Sequence, residues 1–130
     1  MIAVDTNILV RIVVNDDPLQ SARAGAFLRK QDRIFVAKTV LLETEWVLRN
    51  GYGLRRHEVL PVLRRILAMG NAELEDEAAV MQAMQWYEEG MDFADSLLVA
   101  TAGPDCKFAT FDVALKKVGQ RLGAGEFMDV

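Results

Sequence analysis

Short β-rich runs alternate with longer amphipathic stretches along this chain of 130 residues, and that alternation leaves few folds open. A short apolar run, an amphipathic helix and a second apolar run make a βαβ unit, whose strands pair in parallel. Ile2 to Val4 reads as the first strand, and Leu9, Val13 and Val14 extend the apolar run beyond it. Pro18 to Lys30 reads as a helix, with Asp16-Asp17-Pro18 supplying its cap and first-turn signals. Ile34 to Ala37 is a short buried strand, and Val40 to Arg49 a helix stopped by Asn50-Gly51-Tyr52-Gly53. Arg56 to Ala68 forms the next helix, with Val59, Leu60, Val62, Leu63, Ile66 and Leu67 on its apolar side. Ala72 to Glu75 is a weak strand near a sheet edge. Glu77 to Glu89 is a helix whose buried stripe is Val80, Met81, Met84 and Tyr87. Asp92 to Ala102 is helical, Phe108 to Thr110 a strand, Val113 to Val118 a short helix and Glu126 to Val130 a final strand.

Composition sets outer bounds. The length suits one domain, residues 1–130, with a core that needs neither disulfides nor a structural metal. With 52% hydrophobic and 26% charged residues the chain reads as an ordinary globular protein, and no apolar run approaches the roughly 20 residues of a membrane span. The N-terminus has no basic region or cleavage site, and Asp5 interrupts its apolar run, so no signal peptide is expected and the location is expected to be cytoplasmic. The single cysteine, Cys106, cannot form an internal bridge; beside a strand it reads as core filling rather than a nucleophile, since the only histidine, His57, lies far along in a charged stretch.

A net charge of -4 argues against an ordinary nucleic-acid-binding module, which should be basic. The distribution is more informative. From Ile66 to Cys106 there is no Lys or Arg, against Glu73, Glu75, Asp76, Glu77, Glu88, Glu89, Asp92, Asp95 and Asp105. The remainder holds all 15 basic residues and is net positive, much of it between Arg11 and Arg65. Such a surface could hold a polyanion, with metal ions masking the acids. Solvated helix faces account for the same charges.

Four acids, Asp5, Glu43, Asp95 and Asp112, stand beside apolar residues. An unpaired buried carboxylate costs several kcal/mol, roughly, unless it is protonated, paired or metal-bound. Ligands of open α/β sheets bind outside the carboxyl ends of the strands. Asp5 falls at such an end, Asp112 just past another, Asp95 near a helix start, and Glu43 in the first turns of a helix that directly follows a strand. Each aspartate alone is explained by a turn or a helix cap; Glu43 in an apolar helical run is not. Oxygen donors without His or Cys suit Mg²⁺ or Mn²⁺, and one or two such ions would support phosphodiester hydrolysis. Thr6, Asn7, Ser96 and Thr110 adjoin the acids as candidate supporting groups, although turns and caps would use them equally well. Asp92, three residues before Asp95, is a candidate accessory ligand. Glu45 reads as a surface or partner-facing acid, since it points away from Glu43 on a helix.

The segments carrying these acids are Met1-Ile2-Ala3-Val4-Asp5-Thr6-Asn7-Ile8-Leu9-Val10-Arg11, Val40-Leu41-Leu42-Glu43-Thr44-Glu45-Trp46-Val47-Leu48-Arg49, Asp92-Phe93-Ala94-Asp95-Ser96-Leu97-Leu98 and Ala109-Thr110-Phe111-Asp112. In that order they make the whole chain resemble a PIN domain, and more closely the VapC-type toxins of toxin–antitoxin pairs. The resemblance implies a three-layer α/β/α sandwich with a central, mostly parallel sheet. It also implies an endoribonuclease that cleaves RNA with Mg²⁺ or Mn²⁺, its acidic quartet falling on Asp5, Glu43, Asp95 and Asp112 and its polar companion on Thr110. The partners it implies are a second copy of the chain in a homodimer and an antitoxin that occupies the acidic pocket, with no membrane. Trp46, Trp86 and Tyr87 lie on helices that could offer a partner an apolar groove, or could be core.

Two other enzyme-like readings fit less well. A haloacid-dehalogenase-like phosphatase would use Asp5 as nucleophile but wants a second aspartate where Asn7 stands, and a receiver domain wants a late lysine where Asp112 stands. A non-catalytic module whose acids hold a structural ion is the remaining alternative.

Overall fold

The computed structural model describes Met1–Val130, and its contacts gather into two compact units, Met1–Glu75 and Asp76–Val130. In the first, strand β1 (Ile2–Ala3) is only two residues long, because Asp5 turns the chain into helix α1 (Thr6–Val13). That helix is a correction to the sequence reading, in which Leu9, Val13 and Val14 merely prolonged an apolar run. Its β-branched Ile and Val residues weaken helix propensity by well under about 1 kcal/mol each. Against that stand the Asp5 cap and the full burial of Leu9 and Val10. Packing on two neighbouring helices overrides propensity here.

Helix α2 (Pro18–Arg29) begins as expected, with Asp17 as cap and Pro18 in the first turn, where its missing N–H costs nothing. Strand β2 (Ile34–Val36) follows, then α3 (Lys38–Asn50), α4 (Arg56–Leu67) and β3 (Ala72–Leu74). The strands pair in parallel in the order β1-β2-β3, Ile2 facing Ile34 and Ile34 facing Ala72, so β3 is an edge of this sheet. α1 packs on α2 and α3, and α3 packs on α4, over a core that includes Leu9, Leu28, Ile34, Val36, Leu41, Leu48 and Leu63. Asn71 fastens the turn before β3: its amide donates to the carbonyls of Leu28 (3.0 Å) and Gln31 (2.9 Å).

The second unit holds α5 (Glu77–Glu88), α6 (Phe93–Ala102), strand β4 (Lys107–Ala109), α7 (Val113–Leu122) and strand β5 (Glu126–Met128). α5 lies along α6, and β4 pairs in parallel with β5, with α7 as the crossover. Met91, Val99, Leu115 and Ala124 form its buried centre, with Trp86, Phe108, Val118, Leu122 and Phe127 packed around them. α7 runs a full turn past the expected Val118, since Val118 and Leu122 continue its apolar stripe and Gly123 closes it in a left-handed conformation. Within the stripe expected for α5, Val80, Met84 and Tyr87 are buried, but Met81 is exposed and Ala83 takes its place. Cys106 is exposed rather than core filling.

All the strand pairing is parallel and the class is α/β, as expected. No helix is long and apolar enough to cross a membrane. Gly119 sets the distance between α7 and β5. A Cβ there would stand 2.2 Å from Cζ of Phe127, whose ring is held edge-on by Phe108 at 5.8 Å. We expect Gly119→Ala to destabilise the fold by about 1–3 kcal/mol through overpacking, read as a lower midpoint in urea, whereas Gly70→Ala, which meets open space, should change it little.

Candidate functional site

Burial sorts the predicted acids differently from the sequence. Asp5, Glu43 and Asp112 are exposed and Asp95 is half-buried, so the cost of desolvation that singled out the four applies only to Asp95. The deeply buried carboxylate is Glu45, the one read as a surface acid. Its side chain is 2% exposed and accepts from Nε of Arg49 at 2.5 and 2.9 Å. The signal for it was the i,i+4 spacing of Glu45 and Arg49, which lets the pair close on one helix face. Glu43 sits in the second turn of α3 with no hydrogen bond or ion pair.

The aspartates are held by the helices they start. Asp5 Oδ1 accepts the N–H of Ile8 (3.1 Å) and caps α1. Asp112 Oδ1 accepts the N–H of Leu115 (3.0 Å) and caps α7, while its own N–H donates to Thr110 Oγ1 (3.0 Å). The cap of α6 is Asp92, not Asp95: Asp92 Oδ2 accepts the N–H of Asp95 (3.1 Å), which places Asp95 in the first turn. Each cap commits one carboxylate oxygen and leaves the other outside the cap bond. Buried Ser96 donates its hydroxyl to the carbonyl of Asp92 (2.8 Å), tying the second turn of α6 to its start.

In the second unit the structure thus brings Asp92, Asp95 and Asp112 into one electrostatic neighbourhood, with Ser96 and Thr110 bonded to its backbone. Burial, and then the charges of Asp92 and Asp112, push the Asp95 carboxyl above its ordinary value. Asp5, Thr6, Asn7 and Glu43 belong to the first unit; Thr6 is buried and Asn7 exposed. No three Asp, Glu, His or Cys side chains stand close enough to form a ready-made metal cage. Oxygen donors with repelling charges nonetheless fit a hard divalent ion that takes one or two carboxylates and keeps its waters.

The PIN domain family matches residues 2–120 of the chain. The chain belongs to the PIN domain family. PIN domains are generally nucleases that need a divalent metal and act on nucleic acid. Comparison with curated proteins returned no match.

The raised Asp95 has a consequence for stability. A folded chain that holds a proton more readily than the unfolded one gains stability in acid and loses it as pH rises from the ordinary aspartate range through the raised value. Without metal, Asp95→Asn should therefore melt higher than wild type at neutral pH, and the difference should shrink as both are acidified. A variant that melts lower throughout would mean that the Asp95 charge is satisfied in the fold.

Proposed function

We propose that this PIN domain is an endoribonuclease that hydrolyses RNA phosphodiester bonds with Mg²⁺ or Mn²⁺, residues 1–130 acting as one catalytic domain with Asp5, Glu43, Asp95 and Asp112 as its carboxylates. The observation that carries the reading is the half-buried Asp95 beside Asp92 and Asp112, its carboxyl pushed up first by burial and then by those two charges, which a divalent cation would offset. The family's general reaction supports the class. A bound ion would supply Lewis acidity to the attacked phosphate and lower the pKa of a water.

The chain's own contribution is positioning. Asp95 and Asp112 would hold the ion, with Asp92 close by as an accessory donor. Thr110 holds Asp112 by accepting its backbone N–H, and the cap on Leu115 takes one carboxylate oxygen and leaves the other outside that bond. Asp5 is steadied in the same manner on α1, with Thr6 and Asn7 following it in the first turn, and Glu43 is an unpaired oxygen donor. Ser96 keeps the start of α6 rigid.

The finer reading is a VapC-type toxin, working in the cytoplasm as a homodimer and silenced by an antitoxin that covers the acids. Its support is the order of the four motif segments, together with apolar side chains left exposed at Trp46, Leu98, Phe111 and Val113, surface of the kind a protein partner covers.

The test is cleavage of a mixed structured-RNA pool by purified protein with Mn²⁺, with Mg²⁺ and with EDTA. Cleavage should require metal and fall roughly hundredfold or more in Asp5→Asn and in Asp95→Asn, the scale on which transition-state charge stabilisation is lost. Undiminished cleavage in EDTA or in both variants would sink the reading. Mn²⁺ should also raise the melting temperature of wild type, and raise it less in an Asp5→Asn/Asp95→Asn double variant.

A further inference from the structure

Helices α1 and α2 enclose a groove of about 710 Å³ lined by Asn7, Ile8 and Arg11 from one side and Gln20, Arg23, Ala24, Ala26, Phe27 and Lys30 from the other. That is the size class of pockets that take organic ligands rather than a lone ion. No acid lines it. Gln20, Arg23, Phe27 and Lys30 recur at helical spacing, so α2 presents two cations and an aromatic ring along one face. Neither Arg23 nor Lys30 has an ion pair, whereas Arg33 and Arg49 in the same unit are paired with Glu73 and Glu45.

Arg11 is held differently. Its Nη1 donates to Asp16 Oδ1 (2.9 Å), and Asp16 is itself anchored by the Tyr52 hydroxyl donating to Oδ2 (2.9 Å). The Tyr52 bond first, and the Arg11 guanidinium second, keep the Asp16 carboxyl below its usual range, so the anchor stays charged. The guanidinium is fixed in place while its Nε–H is buried with no acceptor. Arg11 therefore lines the groove in a fixed position beside the unpaired Arg23 and Lys30.

We propose that this groove is a track for single-stranded RNA, with Arg11, Arg23 and Lys30 on the phosphates and Phe27 under a base. It rests on the nuclease reading and deepens it by assigning residues that hold the substrate strand. Phe27 stands 48% exposed between Arg23 and Lys30, and an aromatic face set among cations is the means by which proteins hold single strands without reading sequence. An acidic peptide would use the cations but lacks the planar base that every nucleotide of a strand offers to such a ring. The track reaches the start of α1, where Asn7 follows Asp5 by one turn's fraction, so a strand in the groove is delivered toward a proposed catalytic acid.

The test is binding of a fluorescent 2′-O-methylated single-stranded oligonucleotide in EDTA, followed by anisotropy over a range of salt. Arg23→Gln/Lys30→Gln should weaken binding about tenfold at low salt and flatten the log–log salt dependence by about two phosphate contacts. Phe27→Ala should cost about tenfold on the single strand and little on duplex RNA. Arg29→Gln, on the same helix but outside the groove, should bind as wild type does. The proposal is overturned if wild type does not bind, if the double variant keeps wild-type affinity and slope, or if Arg29→Gln loses as much as Arg23→Gln. Displacement of the oligonucleotide by polyglutamate more readily than by unlabelled RNA would also overturn it and assign the groove to an acidic protein partner. Because the probe binds without metal or turnover, failure here leaves the cleavage test standing, and failure of cleavage leaves groove binding measurable.

Discussion

The start of a helix is made again and again by an aspartate whose one oxygen closes the helix's first turn. Asp5, Asp17, Asp76, Asp92 and Asp112 each accept an N–H three residues on, so five of the seven helices start this way. The cap satisfies a donor that the helix leaves orphaned and places a negative charge at the positive end of the dipole. It also fixes the carboxylate in space at no further entropic cost. Asp17 and Asp76 do this without being among the candidate acids, so a cap alone does not mark chemistry. The second unit differs because two capped acids, Asp92 and Asp112, stand near a third, Asp95, that is partly withdrawn from water.

Under the proposed function that arrangement sets stability against activity. Like charges held together by caps and burial raise the free energy of the metal-free fold, and a divalent cation is the ordinary means of relieving them. The first unit handles charge in the opposite manner. Glu45 is buried but matched by Arg49 within the same helix, and Asp16 is matched by Arg11 and Tyr52. With those acids satisfied internally, Arg23 and Lys30 remain uncompensated on the face of α2. The chain's modest net negative charge therefore hides a separation between an acid-rich stretch and a locally basic helix pair.

Much of the fold was legible in the residues. Pro18 after two aspartates, Asn50-Gly51 at a helix end and β-branched runs such as Ile34-Phe35-Val36 are strong local signals, and the elements appear there. Helix α1 was not legible, because Thr6–Val13 is rich in β-branched residues and reads as extended chain until packing on α2 and α3 is known. The four acids were singled out by their apolar neighbours, and the burial that this implied holds for Asp95 alone. Linear proximity to apolar residues does not tell which face of an element a side chain takes.

The sequence by itself determined the alternation of strand and helix, the parallel pairing, the family and the short list of acids, because each depends on spacing along the chain. Tertiary structure decided which carboxylates are buried, which are neutralised and which repel. It buried Glu45 against Arg49 while leaving Glu43 free, gave the α6 cap to Asp92 rather than Asp95, and left Cys106 and Met81 in solvent. It also lined up Arg11, Arg23, Phe27 and Lys30 across two helices. The physical reason is that desolvation and Coulomb interaction depend on distances through space, which residue order constrains only within an element.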